Sequence, residues 1–368
     1  MSQDIKINLV QQYDERYQLY QNFRKEIEHQ IKRILQAEGI ECNAIVSRLK
    51  SKESFIEKIE RKQKKYISIE DITDVVGVRI ITYYSEDVDK IVQIIETEFD
   101  VDRDNSIDKR EAMEPDKFGY CSVHYIVKMN TTRLNLRENH SFEGLKCEIQ
   151  IRSILQHAWA EIEHDIGYKS EIAIPKELRR SFSRIAGLLE IADKEFDEIR
   201  TKLVEYKKNA EVKIEDSDFE EYELNTIILE ILIEKDENIQ RINKHIGKVT
   251  GESSLKKSDN LSFERSLQQL AWLGIRTVRQ FVDILPKYTE IAMKIATVKL
   301  GQYKNSSNKG MIKETIAYFY ICYAILLTEN TTEERIERYI VENKIGSLAF
   351  KDEAVKELYA IAQMLREE

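Results

Sequence analysis

Three short stretches carry charged residues in spacings that suit the handling of phosphate esters. The first is Ser47-Arg48-Leu49-Lys50, followed by Lys58, Arg61 and Lys62. Those last three recur at intervals of three and four, so on a helix they share one face. A triphosphate needs such a cluster, because each phosphate oxygen that loses water must regain a donor. The same residues equally describe a solvated basic helix face. The second stretch is DITDVVGVRI, from Asp71 through Asp74 and Gly77 to Arg79 and Ile80. An acid leading into a buried strand can hold Mg²⁺ at a sheet edge, and Gly77 suggests close backbone approach. A plain turn or cap role for Asp71 and Asp74 is the alternative. The third stretch is Glu148-Ile149-Gln150-Ile151-Arg152. In a strand, Glu148, Gln150 and Arg152 point to one face and Cys147, Ile149 and Ile151 to the other. That pattern fits a ligand-facing sheet or an edge strand with one wet face. His164-Asp165 spells the HD pair of certain metal hydrolases, which need further distant His and Asp ligands. The chain has six histidines, none suitably placed, and that chemistry is rejected.

The elements that must position these residues follow from periodicity. Val10, Tyr13, Tyr17, Tyr20, Phe23, Ile27, Ile31 and Leu35 predict an amphipathic helix over 5–37. NAIVSRLK reads as a short strand, Lys52–Lys64 as a helix, and VVGVRIITYY as a buried β-branched strand. Residues 86–98 read as a helix, 100–119 as a long polar loop, SVHYIVKM and LKCEIQIRS as strands, with a helix then running through Tyr168. Leu178–Tyr206 carries an apolar stripe that includes Phe182, Ile185, Leu189, Phe196 and Leu203, again helical. Lys207–Asp218 is charged and poor in apolar residues, a linker. Everything after it reads as helix, punctuated by GKVTGESS and YKNSSNKG. The divisions are therefore 1–40, an N-terminal helix; 41–206, an α/β domain with a closing helix; 207–218, a linker; and 219–368, an all-α domain.

Composition narrows the class. The chain has 368 residues, 42% apolar and 33% charged, with three prolines, which suits a helix-rich globular protein of two domains. A net charge of −9 provides no global attraction to nucleic acid, so any such binding needs a local basic patch. Cys42, Cys121, Cys147 and Cys322 have no metal-ligand spacing and read as reduced thiols. No apolar run reaches the roughly 18 residues of a membrane span, and no signal-peptide pattern opens the sequence. The expected location is the cytoplasm, without membrane attachment.

Taken together, SRLKSKESFIEKIERK, DITDVVGVRI, FGYCSVH, EIQIR and WAEIEHDIGYK resemble the synthetase domain of the RelA/SpoT family. The resemblance runs in the family's order from Ser47 to Lys169, in the branch without an HD hydrolase that includes the small alarmone synthetases. It implies a nucleotidyltransferase-like α/β (α+β) fold, a mixed sheet flanked by helices. It also implies transfer of the β,γ-diphosphate of ATP to a ribose 3′-hydroxyl, with Mg²⁺ as cofactor. By the same resemblance, Arg48 and Arg79 would sandwich the adenine, and Lys50 and Lys58 would hold the phosphates. Asp74 and Glu148 would be the catalytic acids and metal ligands, Glu148 coordinating or deprotonating the attacking hydroxyl. Tyr120 would stack on the acceptor base, His124 would contact acceptor or transferred phosphates, and Glu163 would read the base edge. Gln150 joins them on the acceptor side of the strand.

Two positions depart from many guanosine-tetraphosphate synthetases. Cys121 stands where a basic residue often follows the loop tyrosine, and His157 where Asn or Asp is frequent. Three functions stay open: a GTP/GDP pyrophosphokinase making (p)ppGpp; a toxin that pyrophosphorylates the 3′ end of tRNA; and an inactive nucleotide-binding scaffold. In the second, residues 219–368 would act as built-in antitoxin that senses a phage or cellular protein. Otherwise that domain would support a homo-oligomer.

Overall fold

The computed structural model of the protein describes residues 3–60, 66–108, 122–168, 176–215, 222–301 and 311–367. The chain divides into two compact units, Met1–Lys202 and Leu203–Glu368.

The first unit opens with α1 (Gln3–Ala37), whose predicted stripe is buried at Tyr13, Tyr20, Phe23, Ile27, Ile31 and Leu35. The chain then forms β1 (Cys42–Leu49), α2 (Lys52–Glu60), β2 (Val76–Thr82) and α3 (Ser85–Glu98). Beyond them come β3 (Phe99–Val101), β4 (Ile107–Asp108), β5 (Val123–Met129), α4 (Thr131–Leu134), β6 (Cys147–Ser153) and α5 (Ile154–Tyr168). The six-stranded sheet runs β1-β2-β6-β5-β3, with β4 also on β5. β2 and β6 are parallel; the other neighbours are antiparallel. The sheet is therefore mixed, as expected. One face is apolar: Val78, Ile80, Ile149, Ile151, Val123 and Val127 are all buried in a core shared with the stripe of α1 and with Val88, Ile91 and Ile95 of α3.

Two sequence expectations change here. Part of the expected loop 100–119 is structured, because β3 and β4 hydrogen-bond to β5 and give short, protected sheet edges; residues 109–121 lie outside the described residues. The charged stretch taken as a linker is helical as far as Glu215, because α6 runs unbroken over Lys176–Glu215.

Where α6 lies in the first unit, it docks through polar contacts. Asp193 accepts from Ser153 Oγ at 2.7 Å, Asp197 takes the Ser85 hydroxyl, and Arg200 pairs with Asp87 at 2.7 Å. Ile185, Leu188, Phe196 and Ile199 are each about half exposed or more. The stripe that periodicity assigns to a core is thus not the docked face.

The second unit contains α7 (Thr226–Lys235), α8 (Glu237–Thr250), α9 (Asn260–Trp272), α10 (Val278–Leu300), α11 (Ile316–Thr328), α12 (Glu333–Glu342) and α13 (Lys351–Glu367). Side chains cap the starts of α7, α8, α9, α10 and α12: Asn225, Asp236, Asp259, Thr277 and Thr332 each accept from a first-turn amide. α11 is buried on all sides, from Ala317 to Leu327. A helix apolar all round belongs at a domain centre. Among the described residues the only strand-like features of this unit are two isolated bridges, so it is all-α as read.

Candidate active site

The opposite face of the sheet is polar, and backbone register decides which side chains meet on it. Arg48 lies opposite Gly77 across β1 and β2. Gly77 in turn lies beside Glu148 across β2 and β6. One step along, Arg79 neighbours Gln150 and Gln150 neighbours His124. A Cβ at Gly77 would meet the Arg48 side chain at 3.6 Å, an ordinary van der Waals contact. The close backbone approach that the glycine suggested is therefore not required here, since a side chain at this position would be accommodated.

Asp74 stands just ahead of β2 and is held between two lysines. Lys58 Nζ lies 2.6 Å from one carboxylate oxygen, and Lys50 Nζ lies 3.1 Å from the other. Burial raises the pKa of Asp74, but the two ammonium groups outweigh it and hold the carboxyl below the usual range. Lys50 is fixed through its backbone: its N–H donates to Val75 O at 2.9 Å, and its carbonyl accepts from Tyr13 Oη at 2.6 Å. Tyr13 packs on Phe55 with centroids 4.6 Å apart, which ties α1 and α2 to the same corner.

A hydrogen-bonded chain crosses the face from β5 to the end of β6. His124 Nδ1 lies 3.1 Å from Glu148 Oε1, and Ser122 Oγ lies 2.7 Å from His124 Nε2. An ionised carboxylate only accepts, so Nδ1 carries the proton and the Nε2 of a neutral ring accepts from the serine. Gln150 Nε2 donates to Glu148 Oε2 at 3.0 Å, and Arg152 Nη2 donates to Gln150 Oε1 at 2.8 Å. Because guanidinium is donor-only, Arg152 fixes which way the Gln150 amide faces and turns its NH₂ toward Glu148. Burial pushes the Glu148 pKa up and the nearby Asp74 charge adds to that, but the His124 contact prevails and leaves it below the ordinary value.

Three guanidinium groups share this face. Arg152 is 5% exposed. Burial, then the charges of Arg79 and Arg48, bring its pKa down to about 10. Arg79 pairs with Glu161 of α5 at 2.9 Å. His157, one turn earlier on α5, is held below its ordinary value by burial and then by Arg152 and Arg79. Such a cluster of cations on a partly buried face suits a planar or anionic ligand.

The structure thus brings Arg48, Lys50, Lys58, Asp74, Arg79, His124, Glu148 and Gln150 to one polar corner and face of one unit. Both hydrogen-bonding atoms of the Gln150 amide are engaged within the protein. Glu163 is exposed on α5. It stands about 200° round the helix from Glu161, so it is Glu161 that reaches Arg79. Tyr120, Cys121, Arg61 and Lys62 lie outside the described residues. Sequence reasoning gave no role to Ser122, Arg152 or Glu161. The alternation of β6 had placed Arg152 on the correct face. Nothing in the spacing of α5 singles out Glu161.

Asp74 and Glu148 could hold a metal ion together. Both carboxyls are held below the usual range, and the charge of Asp74 works against that of Glu148, a repulsion a shared cation would relieve. Among the described residues, no group of three or more His, Cys, Asp or Glu is placed to hold a metal. A carboxylate pair fits Mg²⁺, which commonly takes one or two carboxylates and completes its shell with phosphate oxygens and water.

Comparison with known proteins identifies the family. The region found in RelA and SpoT proteins matches residues 47–173. The GTP pyrophosphokinase YwaC of Bacillus subtilis (strain 168) is 33% identical over 150 residues, covering 40% of this chain and 68% of that protein. The GTP pyrophosphokinase YjbM of the same organism is 28% identical over 162 residues, covering 44% and 73%. Among solved structures, the small alarmone synthetase 2 from Bacillus subtilis is 28% identical, with a TM-score of 0.44, covering 52% of this chain and 98% of that one. The chain belongs to the RelA/SpoT family. It is an enzyme of the pyrophosphotransferase class.

Proposed function

We propose that the protein transfers the β,γ-diphosphate of ATP to the ribose 3′-hydroxyl of GTP or GDP, making (p)ppGpp. The observation that carries this reading is the corner where Lys50 and Lys58 bracket Asp74, on a unit whose polar sheet face also bears Glu148 and three arginines. The names of the two relatives, both GTP pyrophosphokinases, support guanosine nucleotides as acceptors.

In this reading Arg48 and Arg79 bind the adenine, Arg79 exchanging Glu161 for the ring. Lys50 and Lys58 turn from Asp74 to the triphosphate. Asp74 and Glu148 would hold Mg²⁺, which when bound neutralises charge on the phosphates. The acceptor 3′-oxygen attacks the β-phosphorus of ATP. A bond from that oxygen to phosphorus forms, the bond from the β-phosphorus to the α,β-bridging oxygen breaks, and AMP leaves. Phosphoryl-type transfer rests on positioning and charge neutralisation more than on covalent help. A carboxylate held below its ordinary pKa is a weak base. Glu148 therefore serves best as a fixed negative group that orients the hydroxyl, taking its proton only as the oxygen–phosphorus bond forms.

The test is incubation of the full chain with γ-labelled ATP and, separately, GTP, GDP, ATP or bulk tRNA. Label moving to GTP or GDP supports the proposal. Label moving only to tRNA would replace the acceptor, and no transfer with any of them would refute it.

A further inference from the structure

The second unit contains a cavity of about 620 Å³ between α9, the start of α11 and the turn after α12. That size lies within the range of roughly 300–1,000 Å³ usual for small-molecule sites. Its lining is unlike the apolar core beside it. Ser266, Gln269, Thr315 and Asn343 all line it, and all are at least nine-tenths buried. Ser266 and Thr315 find partners: Ser266 Oγ donates to Ser262 O at 3.1 Å, and Thr315 Oγ1 accepts from Ser258 Oγ at 3.1 Å. The two carboxamide oxygens do not: Gln269 Oε1 and Asn343 Oδ1 are buried without a hydrogen-bond partner, although Asn343 Nδ2 donates to Tyr339 O at 2.9 Å. Buried amides left short of partners carry a cost that a ligand can relieve.

The charge at this cavity is one-sided. Arg265, Lys313 and Lys344 line it, and among the described residues no aspartate or glutamate does, in a chain whose net charge is −9. Lys313 is paired with Asp259 at 2.8 Å. The nearby Glu342 carboxylate is turned to Trp272 Nε1 at 2.6 Å. Arg265 and Lys344 are exposed, so the cations lie at the rim while the amides lie within. Lys344 holds a left-handed backbone, φ 52°, at a turn that more commonly takes Gly or Asn. The flanking bonds from Asn343 N to Tyr339 O, 3.1 Å, and from Ile345 N to Ile340 O, 3.0 Å, fix that turn. Ile312, Ile316 and the ring of Phe319 supply an apolar wall.

We propose that this cavity is a binding site for a nucleoside phosphate, with the base inward against Phe319 and the Gln269 and Asn343 amides, and the phosphate outward on Arg265 and Lys344. Carboxamides present the paired donor and acceptor that a base edge matches, an aromatic face takes the flat ring, and rim cations take phosphate. The inference does not depend on the proposed synthetase reaction, because its residues all lie within Leu203–Glu368.

The test is hydrogen–deuterium exchange on the full chain with AMP, GMP or inorganic phosphate as probe. A mononucleotide should slow exchange in α9 and around residues 340–346. The double variant Arg265→Glu/Lys344→Glu should weaken that protection at least about tenfold, as reversal of two rim charges implies. Both side chains are exposed, so thermal unfolding should stay unchanged. Gln269→Leu should lower the preference for mononucleotide over inorganic phosphate. No protection at millimolar nucleotide, or protection indifferent to the charge reversal, would overturn the proposal. Equal protection by inorganic phosphate alone would also overturn it, since no base would then be recognised. Protection confined to β1, β2 and β6 would place the only nucleotide site in the synthetase unit, and the proposal would again fail.

Discussion

The two units place their charged pairs differently. In the first, charged and amide side chains from β1, α2, β2, β5 and β6 converge on one side of a sheet whose other side is apolar, and they contact one another across elements. In the second, the ion pairs Lys287–Glu329, Arg241–Glu290 and Lys313–Asp259 sit at the surface, while α11 is surrounded by apolar side chains. A sheet offers two faces, so one can be kept for a core and the other for chemistry. A helix buried all round leaves no such free face.

Substitutions test this difference. The largest effect is expected in the second unit. Leu326 is fully buried in α11, and Leu326→Ala should destabilise that unit by about 2–5 kcal/mol; denaturant titration followed by far-UV circular dichroism measures it. A loss under about 1 kcal/mol would mean the helix is not the centre of its unit.

Next comes Asp74→Asn, which removes a paired charge and no apolar contact. Transfer should fall by at least about 100-fold while the melting transition of the fold persists. Turnover within a few-fold of wild type would remove Asp74 from the site.

The Gln150–Arg152 pair tests whether polar contacts on the sheet act as a chain. Arg152→Met and Gln150→Ala should each lower kcat by about tenfold, with little change in KM for ATP, if both act by orienting Glu148. The double variant should be no worse than Gln150→Ala. Multiplying effects would instead mean that Arg152 touches substrate itself.

The smallest effect belongs to an exposed pair. The Ser68 hydroxyl and then Arg16 hold Glu70 down at about 2. A carboxyl with depressed pKa adds stability above its unfolded value, and that contribution is lost as pH falls toward 2. Solvent screening limits it to under about 1 kcal/mol at neutral pH. Glu70→Gln should therefore lower the melting temperature slightly at pH 7 and not at all below pH 2. A large drop at pH 7 would mean that surface pairs of the first unit carry more than their exposure allows.

Much of this was legible in the sequence. Period-two alternation placed Glu148, Gln150 and Arg152 on one face, and the apolar stripe of α1 marked its buried side, apart from Tyr17, which is exposed. The turn signal GKVTGESS, whose Gly251 has positive φ, marked a helix end in the second unit. These features depend only on neighbours along the chain. Tertiary structure decided the rest. Strand register, not spacing, set Arg48 over Gly77 and His124 beside Gln150. The approach of α5 put Glu161 on Arg79. The docked face of α6 was misread because periodicity detects an apolar stripe but cannot say what covers it. Asp193 and Asp197 found Ser153 and Ser85, residues 40 and 112 positions away, and those bonds fixed the helix polar side inward. Local pattern determines which residues share a face; only the folded chain decides which faces meet, because that depends on groups far apart in sequence.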